Sequence, residues 1–249
     1  MNADQNKFLF LLSVILVTIL ITEPHESYAR PLSSTYDWVK VDASSALDQT
    51  VAQNWITALD EAIDYLPEDV VKIIRGQSGL NITIITESNS CVNGYANGGG
   101  VAFNTKPADT GCPFNWIPLI QDGFSHNEMV YVALHELAHY YFFYSTEDGK
   151  TLKVFLETVA ERGAIEPGGE KIVWRELPAT IYPILTPGWQ IHEDVAEAFS
   201  IYVMWPDILK KNHPIRYAFM KKVFGREYFL RVPMPDSIKS RLTYNPNKR

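Results

Sequence analysis

Apolar side chains recur at helical spacing between Ala46 and Arg75, where Val51, Trp55, Ile56, Leu59 and Ile63 are followed, past Pro67, by Val70, Val71 and Ile74. That spacing predicts one or two amphipathic helices with a break near the proline. Leu80 to Thr86 is rich in β-branched residues and predicts a strand. Gly100 to Asn104 closes a glycine-rich stretch and predicts a short strand at the edge of a sheet. From Glu128 through Tyr144 the chain lacks Gly and Pro and is apolar nearly all round. Such a segment predicts a helix buried through the middle of a domain, with Ser125 or Asn127 capping its start. Thr151 to Arg162 predicts another helix, ended by Gly163, and Glu166 to Gly188 a long Pro- and Gly-rich connection lining a cleft. A second apolar helix is expected from Ile191 to Trp205, with more helix through Phe229. Together these elements predict an α+β domain with a small mixed sheet and a mainly helical C-terminal half.

The apolar run from Phe8 to Ile21, preceded by Lys7, is short for a membrane span and suits the core of a signal peptide. Ser27-Tyr28-Ala29 offers small residues at a cleavage site, so residues 1–29 are expected to be removed and 30–249 to form one domain. The protein is then secreted or periplasmic, has no stable membrane span after cleavage, and is expected to be a monomer. With 22 Lys and Arg against 29 Asp and Glu, the acidic balance argues against nucleic acid as a partner. The basic residues near the C-terminus, Arg216 among them, are spaced through apolar sequence and read as the wet face of helices. In an exported chain the two cysteines, Cys91 and Cys112, are expected to form a disulfide contributing about 3 kcal/mol.

Candidate chemistry lies in the predicted buried helix, as His135-Glu136-Leu137-Ala138-His139. Residues four apart share a helix face, so both imidazoles can offer a nitrogen to one zinc ion. Glu136 is too far round the helix to be a third ligand, yet close enough to take a proton from water at the ion. Burying two histidines and a glutamate in so apolar a helix would be costly without a metal or a dense hydrogen-bond network. A third ligand is sought downstream, where Glu193 and Glu197 share a face of the second apolar helix. One can bind the ion while the other accepts the outer N–H of a ligating histidine.

These two motifs resemble the gluzincin metallopeptidases, in which His-Glu-x-x-His is followed on a later helix by a glutamate ligand. Glu193-Asp194-Val195-Ala196-Glu197-Ala198-Phe199 looks most like the second motif of the anthrax lethal factor and Pro-Pro endopeptidase group. The resemblance implies a zincin-like fold, His135, His139 and Glu193 as zinc ligands, Glu136 as base, and Glu197 supporting a ligand. The long metzincin signature is absent, with Phe142 and Ser145 where it needs Gly and His. In the lethal factor group a Tyr shortly before the ligand Glu steadies the oxyanion. Here the pattern departs: Thr186 stands seven residues before Glu193, and the nearest upstream tyrosine is Tyr182. Tyr182 and His192 are the two candidates for that donor.

Gly100 to Asn104 falls where zinc aminopeptidases carry Gly-x-Met-Glu-Asn, but Phe103 occupies the place of their amine-binding Glu. An endopeptidase acting on a peptide or protein substrate is therefore expected, with the strand edge available for backbone pairing. The other reading is a zinc-stabilised binding or toxin-like module without peptidase activity. Glu136, which a purely structural site would not require, favours the enzyme. Trp174, Trp189 and Trp205 are expected in the core rather than in a specificity pocket.

Overall fold

The structure is a computed structural model that describes residues 32–76, 78–86, 93–106, 125–145, 150–165, 172–185, 190–228 and 232–243. Asp48 opens the first helix, α1 (Gln49–Asp64), by accepting hydrogen bonds from the backbone N–H groups of Thr50 and Val51 at 2.9 and 3.0 Å. Its buried stripe includes Ala52, Trp55, Ile56, Leu59 and Ile63, as the apolar spacing predicts. Pro67 then separates α1 from α2 (Glu68–Arg75).

These helices form the crossover between two parallel strands, β1 (Val39–Ser45) and β2 (Leu80–Ile85). β1, Val-Lys-Val-Asp-Ala-Ser-Ser, carries too few apolar residues to have been expected from its pattern. Two more strands, β3 (Gly94–Asn97) and β4 (Gly100–Asn104), complete a mixed sheet in the order β1-β2-β4-β3. β4 runs parallel to β2 and antiparallel to β3. The expected edge at Gly100–Asn104 is thus an interior strand, buried along its whole length, and on that side of the sheet the edge among the described residues lies one strand further out at β3. Gly100 is the physical reason. Its φ is +146°, and a β-carbon there would lie 2.0 Å from the carbonyl oxygen of Asn81, so only glycine lets β4 close against β2.

The central helix α3 (His126–His139) begins with a capping box, Ser125 and Glu128 bonding each other's backbone N–H. Every residue from Glu128 to Ala138 is buried. The expected continuation to Tyr144 takes a different form, because Tyr140–Ser145 is a π-helix. It carries Phe142 into the core against Phe199, with ring centroids 6.1 Å apart. After α4 (Lys150–Val159) the chain leaves the helix four residues before Gly163 and forms β5 (Ala160–Ile165), antiparallel to β6 (Ile172–Trp174). The expected helix to Arg162 is therefore too long; pairing of Ala160 with Trp174 displaces it. The long Pro- and Gly-rich connection expected from Glu166 to Gly188 includes β6 and a short helix, α5 (Tyr182–Leu185).

Helix α6 (Gln190–Met204) is buried from Asp194 onward and packs along α3. α7 (Pro206–Asn212), α8 (Pro214–Phe224) and α9 (Asp236–Lys239) complete a mixed α+β, mostly helical architecture. Trp205 joins the core, its indole N–H donating to the carbonyl of Val232 at 2.9 Å. Residues 1–31, Cys91, Cys112 and Trp189 lie outside the described residues, and so do the signal-peptide and disulfide readings that rest on them. Among the described residues no helix is long and apolar enough to cross a membrane.

Helix and sheet meet where Trp55 stacks on Phe103, centroids 4.8 Å apart and planes 8° from parallel, both fully buried. Trp55→Ala is expected to cost about 3–5 kcal/mol of stability, read as a lower denaturant midpoint with an unchanged slope.

Candidate metal centre

α3 presents His135 and His139 one turn apart with their rings nearly perpendicular, and α6 brings Glu193 to them. The two Nε2 atoms stand 3.0 Å from each other. Oε2 of Glu193 stands 3.0 Å from Nε2 of His135 and 3.4 Å from that of His139. Ligand atoms at tetrahedral corners about 2.0–2.1 Å from a zinc ion are about 3.3 Å apart, close to the edges of this triangle. Two imidazoles and a carboxylate, each at least four-fifths buried, are also a donor set that suits a divalent transition metal. These residues could hold a metal ion.

Behind the triangle, Glu197 is held from several sides. Its Oε1 is 3.1 Å from Nδ1 of His135, its Oε2 accepts from the Tyr131 hydroxyl at 2.7 Å, and the guanidinium of Arg241 is 3.6 Å away. The Thr180 side chain also hydrogen-bonds it. Tyr131 lies one turn before His135 on α3. Arg241 arrives from the segment after α9, whose Leu242 pairs with Thr180. A carboxylate against Nδ1 assigns the proton to that nitrogen and turns the lone pair of Nε2 toward the triangle.

Charge follows from this packing. Burial disfavours the Glu197 anion, but the charge of Arg241 and the hydrogen bond to His135 outweigh it and bring its pKa to about 2. Burial likewise opposes the His135 cation, yet hydrogen bonds to Glu193 and Glu197 raise its pKa to about 10 in the metal-free protein. Glu193 is held well below the usual carboxylate range, because the charge of His139 and hydrogen bonds to both histidines overcome its burial. Arg241→Met should leave Glu197 buried without its cation and loosen its hold on His135. Zinc affinity, measured by competition with a chromophoric chelator, is expected to fall about 10–100-fold.

Glu136 is 6% exposed and points into the same region, and its Oε2 has no hydrogen-bond partner among the described residues. Burial raises its pKa, partly offset by the charges of His135 and His139. A buried carboxylate oxygen without a partner is costly in a folded protein and uncommon away from sites with chemistry to do. His192 packs its ring against Phe143 of the π-helix, centroids 3.9 Å apart. Burial and the charge of His139 lower its pKa to about 4, so at neutral pH it offers a neutral ring. Tyr182 begins α5, two residues after Thr180, but its side chain lies outside the described residues.

One cluster escaped the sequence reading. Arg216 is fully buried rather than on a wet helix face. It bonds Asp194 through Nε at 2.9 and 3.0 Å and through Nη2 at 2.7 Å, and Glu176 through Nη1 at 3.1 Å. Asp194 also accepts from the backbone N–H of Ala179 at 3.3 Å. Because Asp194 adjoins Glu193, this cluster anchors the first turn of α6 and with it the carboxylate of the triangle. An acidic residue inside an apolar helix was the available signal; nothing local pointed to Arg216, Glu176 or Arg241.

No protein-family model matches the chain, and no curated protein matches it.

Proposed function

We propose that the protein is an exported zinc endopeptidase with a zincin-like fold, related in its two motifs to the gluzincins. The observation that carries the reading is Glu136, buried beside the His135, His139 and Glu193 triangle with a carboxylate oxygen that has no hydrogen-bond partner among the described residues. A metal held only for structure has no use for it.

A zinc ion bound by those three residues would supply Lewis acidity to a peptide carbonyl and to water. Glu136 takes the proton from the attacking water as the carbon–oxygen bond forms. It then gives that proton to the departing amine as the carbon–nitrogen bond breaks, so it ends each cycle as it began. Glu197, braced by Tyr131, Thr180 and Arg241, keeps Nε2 of His135 turned toward His139 and Glu193, where it would hold the ion. Tyr182 and His192 remain the donors to consider for the oxyanion, His192 through a neutral N–H.

Among the described residues β3 is the sheet edge that packs on α3, so an extended peptide pairing with its outer side would pass close to Glu136. Phe103 is fully buried and stacked on Trp55, leaving no carboxylate at that point of the sheet to bind a free amino terminus. That supports the choice of an endopeptidase over an aminopeptidase. Export rests on residues 1–29.

The test is digestion of a library of N-acetylated, C-amidated peptides by the zinc-loaded mature chain, with products identified by mass spectrometry. Internal cuts that a chelator abolishes and zinc restores support the proposal. One bound zinc without any cut would move the assignment to a metal-stabilised binding module.

A further inference from the structure

Glu136 packs against the backbone of β3 at a point where any side chain would strike it. A β-carbon on Gly94 would lie 2.9 Å from Cγ of Glu136, 3.1 Å from its Oε1 and 3.1 Å from the carbonyl oxygen of Ala102. Carbon atoms in favourable contact stand about 3.5–4.0 Å apart, so the first of these is a clash. Gly94 is not among the glycines with positive φ, so backbone conformation does not demand it. Glycine weakens a strand interior and often marks a close approach by something else. Here that something is Glu136. Gly94 pairs with Phe103, whose ring faces Trp55 of α1, so position 94 faces the helical layer.

Neither side can yield easily. β3 is bonded to β4 along its length, and α3 is packed between α1 and α6. A larger residue at 94 would therefore turn the Glu136 side chain into another rotamer and leave the helix in place.

We infer that Gly94 is a positioning residue for Glu136: the missing β-carbon on the edge strand creates the space in which that carboxylate is held beside the metal ligands. The catalytic consequence rests on the peptidase reading; the contact itself does not. The effect on turnover should be local, since His135, His139 and Glu193 do not depend on that space.

The experiment compares Gly94→Ala with Gly99→Ala, a control in the neighbouring turn whose new β-carbon would meet, among the described residues, only the Asn97 side chain. Gly94→Ala is expected to keep one zinc per chain and to lower kcat about 10–100-fold, within the range for a misplaced general base, with KM changed less than about twofold. Gly99→Ala should match wild type. A cycle of melting temperatures, with Gly94→Ala made in wild type and in Glu136→Ala, needs no substrate. The drop caused by Gly94→Ala should shrink clearly once the Glu136 side chain is gone. Equal drops in both backgrounds, or wild-type kcat in Gly94→Ala, would overturn the inference. If wild type itself cleaves nothing, the peptidase reading fails, and the melting cycle still decides the contact.

Discussion

Glu136→Gln is expected to retain one zinc per chain and to lose about 10²–10⁴-fold in kcat, the usual contribution of a positioned general base. Glutamine has nearly the same shape, so the contact with Gly94 and the packing of α3 survive while the proton acceptor is lost. The charge it removes is buried and has one oxygen without a hydrogen-bond partner among the described residues, so stability should hold or rise. That combination separates a catalytic carboxylate from a structural one, because losing a structural carboxylate would lower the melting temperature or the metal content. The measurements are metal analysis, the melting temperature with zinc, and turnover of the best peptide found for wild type. Undiminished turnover would remove Glu136 from the mechanism.

Glu193→Ala is expected to abolish both the metal and activity. Losing one corner of a three-residue triangle should cost more than the roughly 10–100-fold in affinity lost with an outer hydrogen-bond partner. The wild-type melting temperature should rise on adding zinc, by about 4 kcal/mol in stability at a thousand times the dissociation constant, whereas the variant should not respond. Wild-type binding should also depend on pH. In the metal-free protein the His135 pKa is raised to about 10, so zinc must displace a proton from it. Affinity is therefore expected to rise about tenfold per pH unit across neutral pH, measured with a buffered chelator. The metal-free protein runs the other way. A histidine whose pKa is raised on folding adds stability that is complete below about 6.5 and lost as pH climbs through about 10. A Glu193→Ala protein that still held one zinc per chain would mean that another residue supplies the third ligand.

The two motifs were legible in the sequence because a helix sets its own spacing. Four residues bring His135 over His139, and Glu193 over Glu197, whatever the rest of the chain does. The buried character of α3 and α6 was equally plain from their apolar runs, and with them the α+β class. Fit of the triangle to a metal was not legible, since it needs α6 to cross α3 at one particular height. The Arg216 cluster that anchors α6 joins residues 22 and 40 positions apart. Arg241 reached Glu197 from a segment with no pattern of its own.

Amino-acid sequence by itself determined helices α1, α3 and α6, their buried faces and the residue types that can bind a metal, since these depend on contacts within a few positions. Tertiary structure alone decided which strand lies outside β4, how closely Glu193 and Glu197 approach the histidines, and that Glu136 packs against the backbone at residue 94. Each of those depends on two distant backbones approaching to within a few ångströms, and close packing makes that approach a property of the whole fold.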